Sequence, residues 1–226
     1  MHLWTPYINI NAKNIKESAP LHYAALNNSK ETAEAIVSNS SDIDLLDGIG
    51  STALQIAADN NCKEALEILV TNGADINKKG NYGETAIFKT AIHNYYEIVE
   101  YLILKGAKII SKNEFQESRS LDIAIKNNYV ETAKILISHG GSMKSRFKRS
   151  TPLHLALKHD RLEITQFLLN YGADIYAKDC GMSVLDLARK TSYQLSSQLV
   201  ISHSNNNKGF FSRLCFSLLS YMQFGI

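Results

Sequence analysis

One segment recurs six times along this chain of 226 residues, with a period close to 33. Its leucine-type anchor falls at Leu21, Leu54, Ile87, Leu121, Leu153 and Leu185, so successive gaps are 33, 33, 34, 32 and 32. Self-similarity at such a period marks a stacked repeat array, in which each unit buries its apolar face only against its neighbours. A stack of this kind displays a long surface, and that surface is where function is expected.

Each unit opens with a helix start. Thr52, Thr85, Thr151 and Ser183 are expected to cap by accepting from an orphan backbone N–H. Pro20 and Pro152 stand at the first helical position, where no donor is needed. A short apolar stripe follows, such as Leu54, Ile56, Ala57 and Ala58, or Leu153, Ala156 and Leu157. A polar turn interrupts it at Asn60-Asn61, His93-Asn94, Asn127-Asn128 and His159-Asp160. A second helix then shows apolar residues at helical spacing: Ala65, Leu66, Leu69 and Val70 in one copy, Ile164, Phe167, Leu168 and Leu169 in another. Gly73, Gly106, Gly140 and Gly172 stop it, because a left-handed residue closes the last turn. The stretch from Asp75 to Gly83 is polar and turn-rich, and reads as a loop or hairpin reaching the next cap.

Thr151-Pro152-Leu153-His154, Gly73-Ala74-Asp75-Ile76-Asn77 and Gly172-Ala173-Asp174-Ile175 resemble the hallmark segments of the ankyrin repeat. Ala19-Pro20-Leu21-His22 is close to the same pattern, and the resemblance runs from about Ile10 to His203. It implies an all-α repeat solenoid of about six repeats: a right-handed stack of helix-turn-helix units joined by short β-hairpin loops. It also implies that His22 and His154 bond backbone locally and tie neighbouring units together, a structural role. The copies starting near 19, 52, 85, 119, 151 and 183 occupy residues 19–203, after a flank at 1–18 that contains a partial repeat. The fourth copy departs from the pattern, with Arg119-Ser120-Leu121-Asp122 in place of the cap, and is expected to be locally weak. The first copy has Ser40-Ser41 in place of the glycine stop. The sixth carries Ser196 and Ser197 where apolar residues are expected.

Residues 204–209 read as a polar linker, and 210–226 as an amphipathic tail rich in Phe, Leu, Tyr and Met. The tail is too short and interrupted for a confident membrane span, which needs about 20 apolar residues. Three readings of it stand: a helix over the open end of the array, an interfacial membrane anchor, or a tail that is disordered or docks a partner.

The net charge of +2 selects no bulk partner class. Its distribution is uneven: 4 Lys against 10 acids from Met1 to Asp75, but 13 Lys or Arg against 7 acids from Ile76 to Ser150. Such polarity steers a charged partner. The three cysteines, Cys62, Cys180 and Cys215, are scattered and form no Cys-x-x-Cys pair. They suggest neither a disulfide framework nor a zinc site, and fit an intracellular, cytoplasmic chain. No phosphate-binding loop, His-Glu-x-x-His or Gly-x-Ser-x-Gly occurs, so no enzyme, cofactor or metal is expected.

The sequence instead points to protein binding through the concave helix face and the loop tips. Ile49, Tyr82, Phe115 and Phe147 recur at the tips, either as a contact row or as rings bracing the adjacent finger. Asp59, His93, Lys126, Lys158 and His159 project from the ends of the first helices. Lys148 lies in a basic run, Lys144 to Arg149, beside Phe147; such a run is either a solvated face or part of the contact edge. The expected partner is a protein that is acidic or of mixed charge. Nucleic acid is the weaker reading, because the run is short and no recognised binding motif accompanies it. A membrane-associated adaptor tethered by 210–226 is the alternative.

Overall fold

The computed structural model describes residues 9–39, 41–109, 117–141, 150–192 and 194–206. The chain divides into two compact units, Met1–Ser120 and Leu121–Ile226. The first holds α1 (Pro20–Leu26), α2 (Lys30–Val37), α3 (Ala53–Asp59), α4 (Lys63–Thr71), α5 (Ala86–Ile92) and α6 (Tyr96–Leu104). The division falls within α7 (Glu117–Lys126). The second unit continues with α8 (Val130–Ser138), α9 (Pro152–Lys158) and α10 (Leu162–Asn170). It then has β1 (Lys178–Asp179), β2 (Met182–Ser183), α11 (Val184–Lys190) and α12 (195–206). The fold is a helical repeat solenoid, and the two strands among the described residues pair antiparallel as a tiny hairpin.

The period places the core. In the first unit α1 packs on α3 and α3 on α5, while α2 packs on α4; in the second, α8 packs on α10 and α9 on α11. All six anchors are buried, none more than 5% exposed. Burying each such side chain contributes about 1.5–3 kcal/mol. The alanines beside them, Ala25, Ala57, Ala91, Ala124, Ala156 and Ala188, are fully buried. Their small size lets consecutive first helices approach.

Both helices of a repeat end by the same device. Gly73 sits at φ +91°. Its N–H bonds Val70 C=O at 3.2 Å, and the Ala74 N–H bonds Leu69 C=O at 3.0 Å, the paired closure that a left-handed residue permits. The first helices close similarly on Asn28, Asn61, Asn94, Asn128 and Asp160, at φ between 50° and 61°. Asn and Asp tolerate this region better than other side-chain-bearing residues.

The starts are less uniform. Thr52, Thr151 and Ser183 accept from the N–H three residues on. Thr85 makes no such bond. Its N3 partner is Phe88, a buried ring with no reciprocal acceptor, so the expected cap is absent there.

Ser196 and Ser197 are buried polar residues with partners. The Ser196 hydroxyl donates to Asp160 Oδ1 at 2.6 Å, and Ser197 shares a 2.8 Å bond with Thr191. Hydrogen bonds thus replace the missing apolar pair. Helix α12 runs to residue 206 and buries Ser204, so the first three residues of the expected 204–209 linker are helical. The tail at 210–226 lies outside the described residues. No helix among the described residues is long and apolar enough to cross a membrane.

Candidate partner-binding surface

The loop tips are fixed by backbone bonds that repeat in register. Asp47 N–H bonds Ser51 C=O at 3.0 Å, and Gly80 N–H bonds Glu84 C=O at 2.9 Å. Adjacent tips are also joined, Gly48 to Lys16 C=O at 3.2 Å and Asn81 to Gly50 C=O at 3.1 Å. The approach is close: a Cβ on Gly80 would lie 2.7 Å from Gly50 O. Backbone contacts therefore link these tips, and Ile49 and Tyr82 remain 70% and 75% exposed.

The third residue of the first helix ties each such loop to the array. His22 Nδ1 accepts from Ala19 N–H at 3.0 Å, so Nε2 carries the proton and donates to Leu45 C=O at 3.0 Å. Gln55 does the same with an amide: Oε1 accepts from Thr52, while Nε2 donates to Lys78 C=O at 2.9 Å and Glu84 C=O at 2.8 Å. His154 bonds Thr151 through Nδ1 and Met182 C=O through Nε2. Burial holds its pKa below the ordinary value, which keeps the ring neutral.

In the first unit these constraints shape a groove of about 290 Å³. Tyr23, Leu26, Ile49 and Ile56 give it apolar walls, and Asp47 and Asp59 are the acids on its lining. Asp59 is not a free charge. His93 Nε2 lies 3.1 Å from one carboxylate oxygen and Lys89 Nζ lies 3.5 Å from the other. Lys89 also reaches Glu84 at 2.9 Å. Sequence reasoning named Ile49, Asp59, Tyr82 and His93; the structure places Ile49 and Asp59 in one groove and pairs His93 with Asp59. It missed Tyr23 and Leu26, which are partly exposed, and read Ile56 only as part of the apolar stripe of its helix, where it is half-buried.

In the second unit, Lys126 and Lys158 line a cavity of about 300 Å³ together with Asp122, Ser150 and Asp179. Lys158 is paired: its ammonium bonds Asp179 at 2.8 Å and Ser150 at 3.0 Å. The Lys158 bond, aided by one from Ser150, holds the Asp179 carboxyl well below the usual carboxylate range. His159 is exposed, and its pKa is lowered by partial burial and by Arg161, Lys126 and Lys158. Phe115, Phe147 and Lys148 lie outside the described residues.

A stack of helix pairs with bonded loop tips and a grooved face defines a repeat scaffold. The chain belongs to the ankyrin-repeat family: the family model for ankyrin repeats matches residues 21–113 and 112–179. None of the curated proteins matches it in sequence. Among solved structures, it is similar to the human ASB11 ankyrin repeat domain, at 25% identity and TM-score 0.72, over 86% of this chain and 88% of that one. An ankyrin repeat domain from Acinetobacter baumannii AYE matches at 27% identity and TM-score 0.72, over 82% and 97%. The ankyrin repeat domain of Bcl-3, a member of the IkappaB family, has the same fold at 21% identity and TM-score 0.72, over 82% and 86%. Ankyrin repeat domains are in general protein–protein interaction modules and are typically not enzymes.

Proposed function

We propose that this chain is a non-catalytic scaffold that binds a protein partner through the groove beneath Ile49 and through the tip residue Tyr82. The groove carries the reading: it presents apolar side chains beside exposed tip residues, the arrangement that marks contact surfaces. His22 and His154, the most tempting catalytic groups, spend both ring nitrogens on structural bonds, which supports a binding role over a chemical one. A framework already bonded from tip to tip loses little entropy on binding.

The partner is of mixed charge with an apolar anchor. The groove lining carries Lys16 as well as Asp47 and Asp59, and Asp59 is already offset by Lys89 and His93. Apolar contact therefore supplies most of the affinity, with charge tuning the encounter.

The test is to isolate a partner on immobilised full chain and to titrate it against Ile49→Asp and Tyr82→Ala. Each change is expected to weaken binding by about 1–3 kcal/mol, with the melting temperature unchanged. Unaltered affinity in both would place the site elsewhere.

A further inference from the structure

The fourth repeat breaks the capping pattern, and one buried carboxyl oxygen in it is left without a hydrogen-bond partner. In the second, fifth and sixth copies the third helical residue caps its own helix: Gln55, His154 and Asp186 each accept from the backbone N–H at the cap. Asp122 holds the same place in the repeat. Here, however, α7 starts at Glu117, so the register position of the cap lies inside the helix. Asp122 is only 5% exposed, and its Oδ2 has no hydrogen-bond partner. It lines the cavity of about 300 Å³ in the second unit.

Among the described residues, the charged groups around it do not satisfy that oxygen. Lys126, one turn along the same helix, favours the ionised carboxyl through space but does not bond Oδ2. Lys158 is committed to Asp179 and Ser150. The Arg161 guanidinium donates to the carbonyls of Ile125 and Lys126. His159 is exposed, with its pKa held low. A buried carboxyl oxygen without a partner costs free energy that a charged donor would recover, and a guanidinium or ammonium is the strongest such donor.

We propose that this cavity is a receptor for a cationic side chain, an Arg guanidinium or Lys ammonium of the bound protein, with Asp122 as its counter-ion. The source of the cation rests on the partner-binding reading above; the acceptor chemistry does not. Burial pushes the Asp122 carboxyl up to about 7, against the pull of Lys126. The cation therefore binds with release of a proton, and binding strengthens as pH rises. With a midpoint near 7, occupancy of the ionised form makes binding roughly thirty-fold tighter at pH 8 than at pH 5.5.

The experiment uses the full chain labelled with carboxyl-13C aspartate, with the Asp122 resonance assigned by its loss in Asp122→Asn. It is titrated with N-acetylarginine methylamide, N-acetyllysine methylamide and N-acetylglutamate methylamide. A cationic probe is expected to lower the Asp122 midpoint and to bind more weakly at pH 5.5, with both effects lost in Asp122→Asn. A midpoint unmoved by either cationic probe at saturating concentration would overturn the proposal. So would a midpoint raised by the glutamate probe, which would make the cavity an anion site, or equal cation binding to Asp122→Asn. The probes carry no partner surface. Their failure leaves the groove reading intact, and failure of the Ile49 and Tyr82 variants leaves this cavity untouched.

Discussion

Asp122 and His154 occupy one place in the repeat and have opposite consequences for stability. The folded state raises the Asp122 pKa to about 7, so the native chain holds its proton longer than the unfolded chain does. Stability is full below the ordinary carboxyl pKa near 3.9 and is lost as pH rises towards 7. Asp122→Asn removes that dependence. In chemical denaturation, the variant is expected to gain on the native chain between pH 4 and pH 7, by at most about 4 kcal/mol, and to gain nothing further above pH 8. A constant difference across that range would show the carboxyl to be solvated. His154 has a lowered pKa, chiefly from burial. Its contribution is present above the unfolded value near 6.5 and falls as the solution becomes more acid. His154→Ala leaves the Thr151 N–H and the Met182 carbonyl unpaired, at a cost of about 1–3 kcal/mol. A melting temperature equal to that of the native chain would contradict this. The role of His154 was legible because the Thr-Pro-Leu-His segment is a local pattern. Gln55 was not singled out in the sequence, where only Thr52 was read as a cap; its bonds to Lys78 and Glu84 reach 23 and 29 residues along the chain.

At the scale of the element, the helix starts and stops were the part most open to sequence reasoning. Gly73, Gly106, Gly140 and Gly172 all take positive φ, as a helix stop requires. The exceptions are instructive. Thr85 has the residue type of a cap but faces Phe88, and Ser196 and Ser197 looked like gaps until their partners in other segments were placed. Such bonds lie up to 36 residues apart in sequence, out of reach of any local pattern. Helix α7 lacks the Thr-Pro start of α9 and contains the unpaired Asp122 oxygen. Amide hydrogen exchange is therefore expected to be faster in Leu121–Lys126 than in Leu153–Lys158. Equal protection of the two would show that the irregular start costs the fourth repeat nothing.

At the scale of the whole molecule, the period identifies the stack, and the stack implies an extended face, but the chemistry of that face was only partly legible. Asp59, His93 and Lys158 were read as projecting charges. The structure commits each to an ion pair, His93 with Asp59 of the preceding repeat at 3.1 Å and Lys158 with Asp179 of its own repeat at 2.8 Å. Charges consumed in this way brace the array and leave less for steering. Lys16→Glu, which reverses a charge on the groove lining, is accordingly expected to alter the association rate at low salt and hardly at all at 1 M salt, where screening acts within about 3 Å. A salt-independent loss of affinity would instead mark Lys16 as a buried contact. The most direct measurement is a hydrogen-exchange footprint of the chain with and without its protein partner. The account predicts added protection at the tips around Ile49 and Tyr82 and at the C-terminal end of α3, with α2, α4 and α6 unchanged. Protection confined to α2, α4 and α6 would contradict it.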